Sequence, residues 1–517
     1  MISGDRQSLR TTIFSGATVI LLLVFLFFLP TFEPVPLYNS YNQQRLSALL
    51  LMVLGVGLLL CCGISRRSGL MVLNSWSPRN KLMMLILPVL GLLSGLGATY
   101  PWFSIQEIAF FCLLLLTTVT VAVARIHLGS VFGWLMAISL TAIGWNYFIG
   151  FVMCYQIAIS NYYDIQIVLD QLLHKFSHVR FFGQWQSWTL PLMVLPMLLT
   201  SRSLPKHLLL LFLLPAMFWW LLLFASGTRG TALGSLVAVV LTLFFYRRRA
   251  LRWLRWHLTA AIGGGAGYLA FYCLLPSFWS TAIHAETVAQ GLIDRPSTGL
   301  TGREYLWASA WEMIVQQPLL GVGPMHYADY GNHIAAHPHN ALLQIGAEWG
   351  LPALFIVLML FVGGVLGWLR DDPVRGGVLK PDKIDLRPPL FAALITAVVH
   401  SMFSGIIIMP VSQVMMVLVL GWMIGIAYLE APNKCEAPKP GYDPSIRAQI
   451  LLIFFFALIL SGLAKPLSDQ LPILIKAHQV YEEQNIRYHT RYLRPRFWQQ
   501  GYLAPYYPKN QIGKVTQ

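Results

Sequence analysis

The chain has 517 residues, of which 56% are apolar and only 11% charged, and its net charge is +15. Soluble domains carry roughly 25% charged residues, and repeated apolar runs of about 20 residues exclude a globular cytosolic enzyme. In a soluble protein this positive balance would point to nucleic acid, but here most Lys and Arg lie in short loops between apolar runs, where they set topology and meet membrane lipids, so no nucleic-acid partner is expected.

The pattern predicts an all-α polytopic membrane protein with about thirteen transmembrane helices. The apolar runs lie near 12–31, 46–63, 82–100, 105–124, 130–158, 188–200, 207–225, 231–246, 258–275, 351–369, 389–409, 412–430 and 448–464. The first follows Arg6 and Arg10, is long, and lacks a small-x-small cleavage site, so it reads as a retained span. The sixth is short and could tilt or pair with its neighbour as a hairpin. Arg66, Arg67, Arg79 and Lys81 form one basic loop, and Arg202 with Lys206 another. Arg247, Arg248, Arg249, Arg252 and Arg255 form the strongest, and Arg370, Arg375, Lys380, Lys383 and Arg387 the last. All four are cytoplasmic if the N-terminus is cytoplasmic, and the alternate loops are nearly free of basic residues. The tail after Leu463, with Arg487, Arg491, Arg494 and Arg496, then falls outside, where the charge rule has little hold far from short loops.

This divides the chain into three parts. Residues 1–187 are N-terminal spans plus an outer segment. Residues 188–430 are a membrane core with a large outer loop at 276–350, between spans nine and ten. Residues 431–517 are a last span and a basic, aromatic tail. Within 159–187, Ile165, Val168, Leu169, Leu172, Phe176 and Val179 recur at helical spacing, which predicts an amphipathic helix on the membrane surface. It runs into Arg180-Phe181-Phe182-Gly183-Gln184-Trp185-Gln186-Ser187-Trp188, either an aromatic belt or a substrate-lining stretch. The loop at 276–350 should be ordered, with short helices such as 304–316. Cys61, Cys62, Cys112, Cys154 and Cys273 lie in apolar runs and Cys435 in a basic loop; no ligand spacing appears, so neither a disulfide framework nor a metal site is expected.

Three polar sites fall at the outer face. His337-Pro338-His339-Asn340 precedes an apolar run that starts at Leu351, and ionisable groups so close to lipid mark function by default. Asn340 is a good helix-start residue, so His339 should sit just before a helix N-terminus. Gln344 and Glu348 share a face of that helix, and Gly350 with Pro352 should break it before the span. The second site is Ser226-Gly227-Thr228-Arg229-Gly230, and the third is Thr301-Gly302-Arg303-Glu304. Arginine forks match phosphate oxygens, and histidine is the usual general base near neutral pH. With no P-loop, GxSxG or carboxylate cage, ATP-driven and serine-hydrolase chemistry is disfavoured.

The run His339-Asn340, nine residues, Gly350 resembles the HN-x9-G signature of the Wzy/WaaL superfamily of O-antigen ligases, O-antigen polymerases and PglL-type O-linked oligosaccharyltransferases. That family commonly has Gly, Thr or Tyr three residues after the glycine, where this chain has Ala353. Thr228-Arg229-Gly230 is similar to the family's SRG element. Gly302-Arg303, Trp307 and Pro318-Leu319-Leu320-Gly321-Val322-Gly323 resemble its GR…PLxGxG stretch, and His400-Ser401-Met402-Phe403 a further element. The resemblance spans roughly 188–425.

It implies a bacterial inner-membrane enzyme of GT-C-like type, working at the periplasmic face without metal or cofactor. Such an enzyme moves an undecaprenyl-pyrophosphate-linked oligosaccharide to an acceptor hydroxyl. Arg229 and Arg303 would bind the pyrophosphate and His339 would act as base, supported by His337, Asn340, Glu348, His400 and Arg180. The acceptor is expected to be Ser or Thr of an exported, pilin-like protein. The tail mixes Tyr, Trp and Arg, the residues that anchor protein interfaces, and 180–184 faintly resembles a PglL-type Arg-x-x-Gly-Gln/Asn element, without its following Pro-Asn. The alternatives are ligation to lipid A core and O-antigen polymerisation. A polyprenyl-glycan transporter is the non-enzyme alternative; it would place broken helices and ionisable residues near mid-membrane.

Overall fold

The computed structural model describes residues 16–21, 23, 37, 40–160, 166–176, 178–200, 205–279, 303–329, 335–372, 385–430, 445–484 and 497–498. The predicted first span with Arg6 and Arg10 lies largely outside them. So do Arg202, Thr301, Gly302, Arg375, Lys380, Lys383, Cys435 and the tail residues Arg487, Arg491, Arg494 and Arg496. Among the described residues every regular element is helical, and nine stretches are long and apolar enough to cross a membrane. One of the nine, Arg229–Leu274, contains two of the predicted spans and turns between them at Arg247, whose φ is +49°.

The helices are α1 (Ser40–Cys61), α2 (Gly63–Asn74), α3 (Pro78–Leu96), α4 (Pro101–Leu128), α5 (Ser130–Ser160), α6 (Gln166–Leu173), α7 (Val179–Thr189) and α8 (Leu195–Leu199). Then come α9 (Lys206–Ser226), α10 (Arg229–Tyr246), α11 (Leu251–Tyr268), α12 (Arg303–Gln316), α13 (Ala341–Arg370), α14 (Arg387–Ser401), α15 (Pro410–Glu430) and α16 (Ile446–Gln484). The most extensive pairings are α4 with α15, α9 with α11, and α10 with α14. Each closes on a glycine. A Cβ at Gly421, Gly264 or Gly234 would lie 2.5–2.7 Å from a carbonyl oxygen of the partner helix. Between helices in lipid, close backbone approach replaces the hydrophobic drive that water would supply. Large apolar side chains such as Leu85, Leu96, Phe244, Ile262, Phe355 and Leu366 point outward, as a lipid-facing surface requires.

The bundle has two polar ends. At one, Arg249 bridges Asp372 and Asp385, Arg387 pairs with Glu430, and Arg66 donates to Gln449. At the other, Ser94 donates to the Glu348 carbonyl, Gln184 to Ser404, and Gln106 exchanges bonds with Gln470.

Three predicted elements differ from what forms. The span at 188–200 is not one helix: Pro191 and Pro196 lack the N–H a continuing ladder needs, and α7, a 3₁₀ turn (Leu190–Leu192) and α8 replace it. The broken stretch still links the two ends, because Gln184 bonds Ser404 at one while Arg252 reaches the carbonyls of Met197 and Thr200 at the other. The span at 389–409 stops at Ser401, and residues 402–409 form a turn before Pro410 opens α15. The amphipathic segment spends its apolar face on protein rather than lipid. Val168, Leu173 and Phe176 are buried in the main core.

The aromatic run after it is not a belt either. Phe182, Trp185 and Trp188 are buried; Phe182 and Trp185 nest with Tyr147, Phe176 and Trp219, and Trp188 donates to Ser412. These side chains sit in the interior because α7 packs against α10, α14 and α15 at once.

Candidate active site

Asn340 starts α13 as expected: its backbone is extended, and its side-chain oxygen accepts from the N–H groups of Leu342 and Leu343, both at 3.0 Å. Such a cap satisfies two donors that a helix start leaves open. Just before it, His339 has φ +54°, in the left-handed region. That conformation is uncommon and costly for a side chain with a Cβ, and strain of this kind gathers at functional sites. The His339 N–H donates to His337 Nδ1 at 3.2 Å, and the two rings meet edge to face with centroids 4.0 Å apart. Trp307 of α12 donates its ring N–H to the Pro338 carbonyl at 3.0 Å, tying the histidine loop to the helix that begins with Arg303.

The glycine nine residues on has a steric reason. Gly350 has φ +83° and ψ 168°, and separates the short leg of α13 from its apolar leg. A Cβ at Gly350 would lie 2.3 Å from the Leu319 carbonyl oxygen, and one at Gly321 would lie 2.6 Å from that of Ala347. The two strands of chain also exchange backbone bonds: Val322 N–H to Ala347, Gly323 N–H to Glu348, and Leu351 N–H to Pro318. The HN-x9-G run and the PLLGVG turn are therefore one folded unit. The Glu348 carboxylate is fully buried and accepts from the Tyr327 N–H at 3.0 Å. This bond serves the turn that follows PLLGVG rather than the histidine pair. Gln344 is buried on the same helix face.

α7 sews the remaining motifs together. A Cβ at Gly183 would lie 2.4 Å from Thr228, so the Arg180 segment and the Thr228-Arg229-Gly230 element are in contact. Gln184 donates to Ser404 at 2.7 Å, and Ser187 meets His400 Nδ1 at 2.7 Å. Gly230 lies flat against the other edge of the His400 ring, where a Cβ would approach within 2.2 Å. Gly405 lies against His337 in the same way, at 2.6 Å. The turn at 402–409 thus backs the histidine loop.

The field at this end is positive. Burial, then the guanidinium groups of Arg303 and Arg180, push His339 from its ordinary 6.5 down to about 4. Arg303 itself is lowered by burial and then by Arg180. The arginine that shares a field with Arg303 and His339 is therefore Arg180, which the sequence assigned only a supporting part. Arg229 is exposed at the first turn of α10, next to the glycine that faces His400. The structure brings His337, His339, Arg303 and Arg180 together, and sets Arg229 and His400 beside them across α7. Sequence reading missed Ser404 and Gly405 and gave Ser187, within the 180–188 run, no role of its own; small residues in a helix and a turn carry no motif of their own. A neutral imidazole among arginines is a proton acceptor next to a site for an anion.

Residues 209–358 match the sequence profile of the Wzy_C family, described as O-antigen ligase. The match supports membership in the Wzy/WaaL superfamily. It covers Arg229, Arg303, His337, His339 and Gly350, and stops short of His400. It also supports a membrane glycosyltransferase reaction of ligase or polymerase type, with a lipid-linked oligosaccharide as donor and a multi-pass membrane setting. No curated protein matches the chain.

Proposed function

We propose that this protein transfers an oligosaccharide en bloc from undecaprenyl pyrophosphate to an acceptor hydroxyl at the periplasmic face of the bacterial inner membrane. The observation that carries this reading is the strained, neutral His339 held in the field of Arg303 and Arg180. His339 takes the proton of the acceptor hydroxyl as its oxygen attacks the anomeric carbon. The bond from that carbon to the phosphate oxygen breaks, and the pyrophosphate leaves with the electron pair. Arg303, Arg180 and Arg229 balance the charge that develops on the leaving oxygen. A single displacement inverts the anomeric centre. A pKa near 4 makes a weak base, but the donor's own negative charge offsets both arginines, and so raises the basicity of His339 when the donor is bound.

For the acceptor, the aromatic and basic tail favours Ser or Thr of an exported, pilin-like protein. Two of its aromatic residues, Phe497 and Trp498, are buried in the bundle and so are not part of such a surface. The description of the matched family favours a second reading, a sugar hydroxyl of lipid A core. Transfer in membranes from purified lipid-linked donor, with each acceptor added in turn, tests the proposal. Glycan should move to one of them in wild type but not in His339→Ala, and no transfer to any acceptor overturns it. Intact masses of exported proteins, compared with lipopolysaccharide profiles, decide between the acceptors. The orientation is tested by placing a cysteine at Glu312, exposed on α12, in a chain lacking its six native cysteines. It should be labelled from the outside of intact spheroplasts; labelling only after permeabilisation reverses the orientation.

A further inference from the structure

Arg45 is the most deeply buried arginine at this end of the bundle, 2% exposed in α1. Such a charge is costly inside a membrane protein and needs a reason. Its guanidinium ties its own helix to three other pieces of chain. Nε donates to the Phe497 carbonyl at 3.0 Å, Nη1 to the side-chain oxygen of Gln413, and Nη2 to the Ile408 carbonyl and the Tyr41 hydroxyl. The rings of Phe110 and Phe497 stack on it, each with its centroid 4.9 Å away. Trp498, also buried, anchors the tail by donating to Gln470 at 2.7 Å.

Most of these bonds converge on one target. Ile408 accepts from Arg45 and from Tyr41, and Gln413 donates its amide to the Ile407 carbonyl. Ile407 and Ile408 belong to the turn at 402–409. The other side of that turn carries Gly405 against His337 and Ser404 under Gln184. Arg45 therefore grips the turn that supports the histidine loop.

We propose that Arg45 is a positioning residue for the transfer reaction, holding the turn at 402–409 against His337, with Phe497 and Trp498 closing its socket. The inference rests on the function proposed above. Displacing a reacting group by about 1 Å can cost about a hundredfold in rate, so a loosened turn should lower turnover without weakening donor binding.

The test uses full-length protein in membranes, with Arg45→Gln and Arg45→Lys, and Gln413→Leu as a milder variant should the first two not insert. Amide exchange should rise in peptides covering 402–409 and 335–340 and stay unchanged in 247–257. In the transfer assay, kcat should fall by at least about tenfold with donor KM within about twofold. Lysine should not rescue, since it cannot supply the planar fork. Arg45→Gln combined with His337→Ala should lose little more than the worse single variant, because both act on one element. Unchanged exchange in 402–409, or losses that multiply in the double variant, overturns the role of Arg45. Raised exchange in a chain whose wild type transfers no glycan overturns the reaction instead, and leaves the grip of Arg45 intact.

Discussion

The two ends of the bundle use arginine in opposite ways. At the end of the basic loops, burial would lower Arg249, but bonds of 2.6 and 2.7 Å to Asp372 and Asp385 raise it above its usual value. Arg387 is held at 2.8 Å from Glu430 and lies over the Trp368 ring. At the site end, Arg303 is lowered by burial and by a second arginine, and the same two cations depress His339. Charges that are matched by carboxylates have finished their work within the fold. Cations that raise each other's cost leave a field for an anion to complete, and in the proposed reaction the donor's pyrophosphate brings that charge. On the proposed function, the difference separates the carboxylate-matched arginines that build the protein from the mutually repelling pair, Arg303 and Arg180, that acts.

The largest expected effect tests the centre of that field. His339→Ala should keep insertion but lose transfer by at least about two orders of magnitude, the usual weight of a general base. Alanine also strains a left-handed position, so His339→Asn is the sharper variant: asparagine tolerates φ +54° and takes no proton. Both should fail alike in the donor-to-acceptor assay. Near-normal turnover by His339→Asn would make the residue a turn-former and return the base to His337.

Much of this was legible in the residues. The start of α13 at Asn340 followed from capping chemistry, and the break at Gly350 from the glycine and the proline after it. α12 formed almost where a short helix, 304–316, was expected in the ordered outer loop. Three things were not legible. Apolar periodicity does not say whether a face meets lipid or protein, so the segment from Val168 to Val179 reads as interfacial although Val168, Leu173 and Phe176 are core, and the run to Trp188, open between a belt and a substrate-lining stretch, buries Phe182, Trp185 and Trp188. A hydropathy run does not register the turn at 402–409, whose residues are as apolar as a span but are held by Arg45 and Gln413. Which arginines share a field also depends on which helix ends meet in space. Arg180 lies more than a hundred residues before Arg303, and only packing brings their fields together.

The arginines should give the next effect. Lysine keeps the charge but not the two-pronged geometry. Arg303→Lys and Arg180→Lys should each lower kcat/KM for the lipid-linked donor by about tenfold, equivalent to about 1.4 kcal/mol of transition-state binding. Arg229→Lys should fall by a similar factor if Arg229 reaches the pyrophosphate. Wild-type rates in all three would remove the bidentate role.

A smaller effect reads the field through pH. With His339 at about 4 rather than 6.5, the acid limb of kcat/KM in the free enzyme should lie near pH 4, so activity holds from pH 7 to 5. Arg180→Gln removes a repelling cation, raises the His339 pKa and should move the limb up towards 6.5. Because bound donor also offsets the arginines, the limb in kcat should lie above that in kcat/KM. The matching stability sign follows from the same shift: above 6.5 both states are neutral, and between 6.5 and 4 the unfolded chain takes up a proton that the folded one refuses, so stability falls as pH falls. A limb that does not move in Arg180→Gln would mean that Arg180 does not act on His339.

The smallest effect on turnover is expected at the opposite end. Asp372 is 4% exposed and bonds one prong of Arg249, while Asp385 holds the other. Asp372→Asn removes a charge, keeps the shape, and leaves Arg249 one carboxylate. A wholly buried pair that loses a partner costs about 3–5 kcal/mol. Arg249 remains partly solvated and still paired, so a loss of about 1–2 kcal/mol is expected. It should appear as a lower thermal midpoint of the detergent-solubilised protein at a fixed scan rate. Transfer per folded molecule should stay within about twofold of wild type, because Asp372 holds Arg249 at the end of the bundle opposite the histidine loop. A tenfold fall in turnover with an unchanged midpoint would mean that the two ends are coupled through α13 or α14, and that the division between building and acting arginines does not hold.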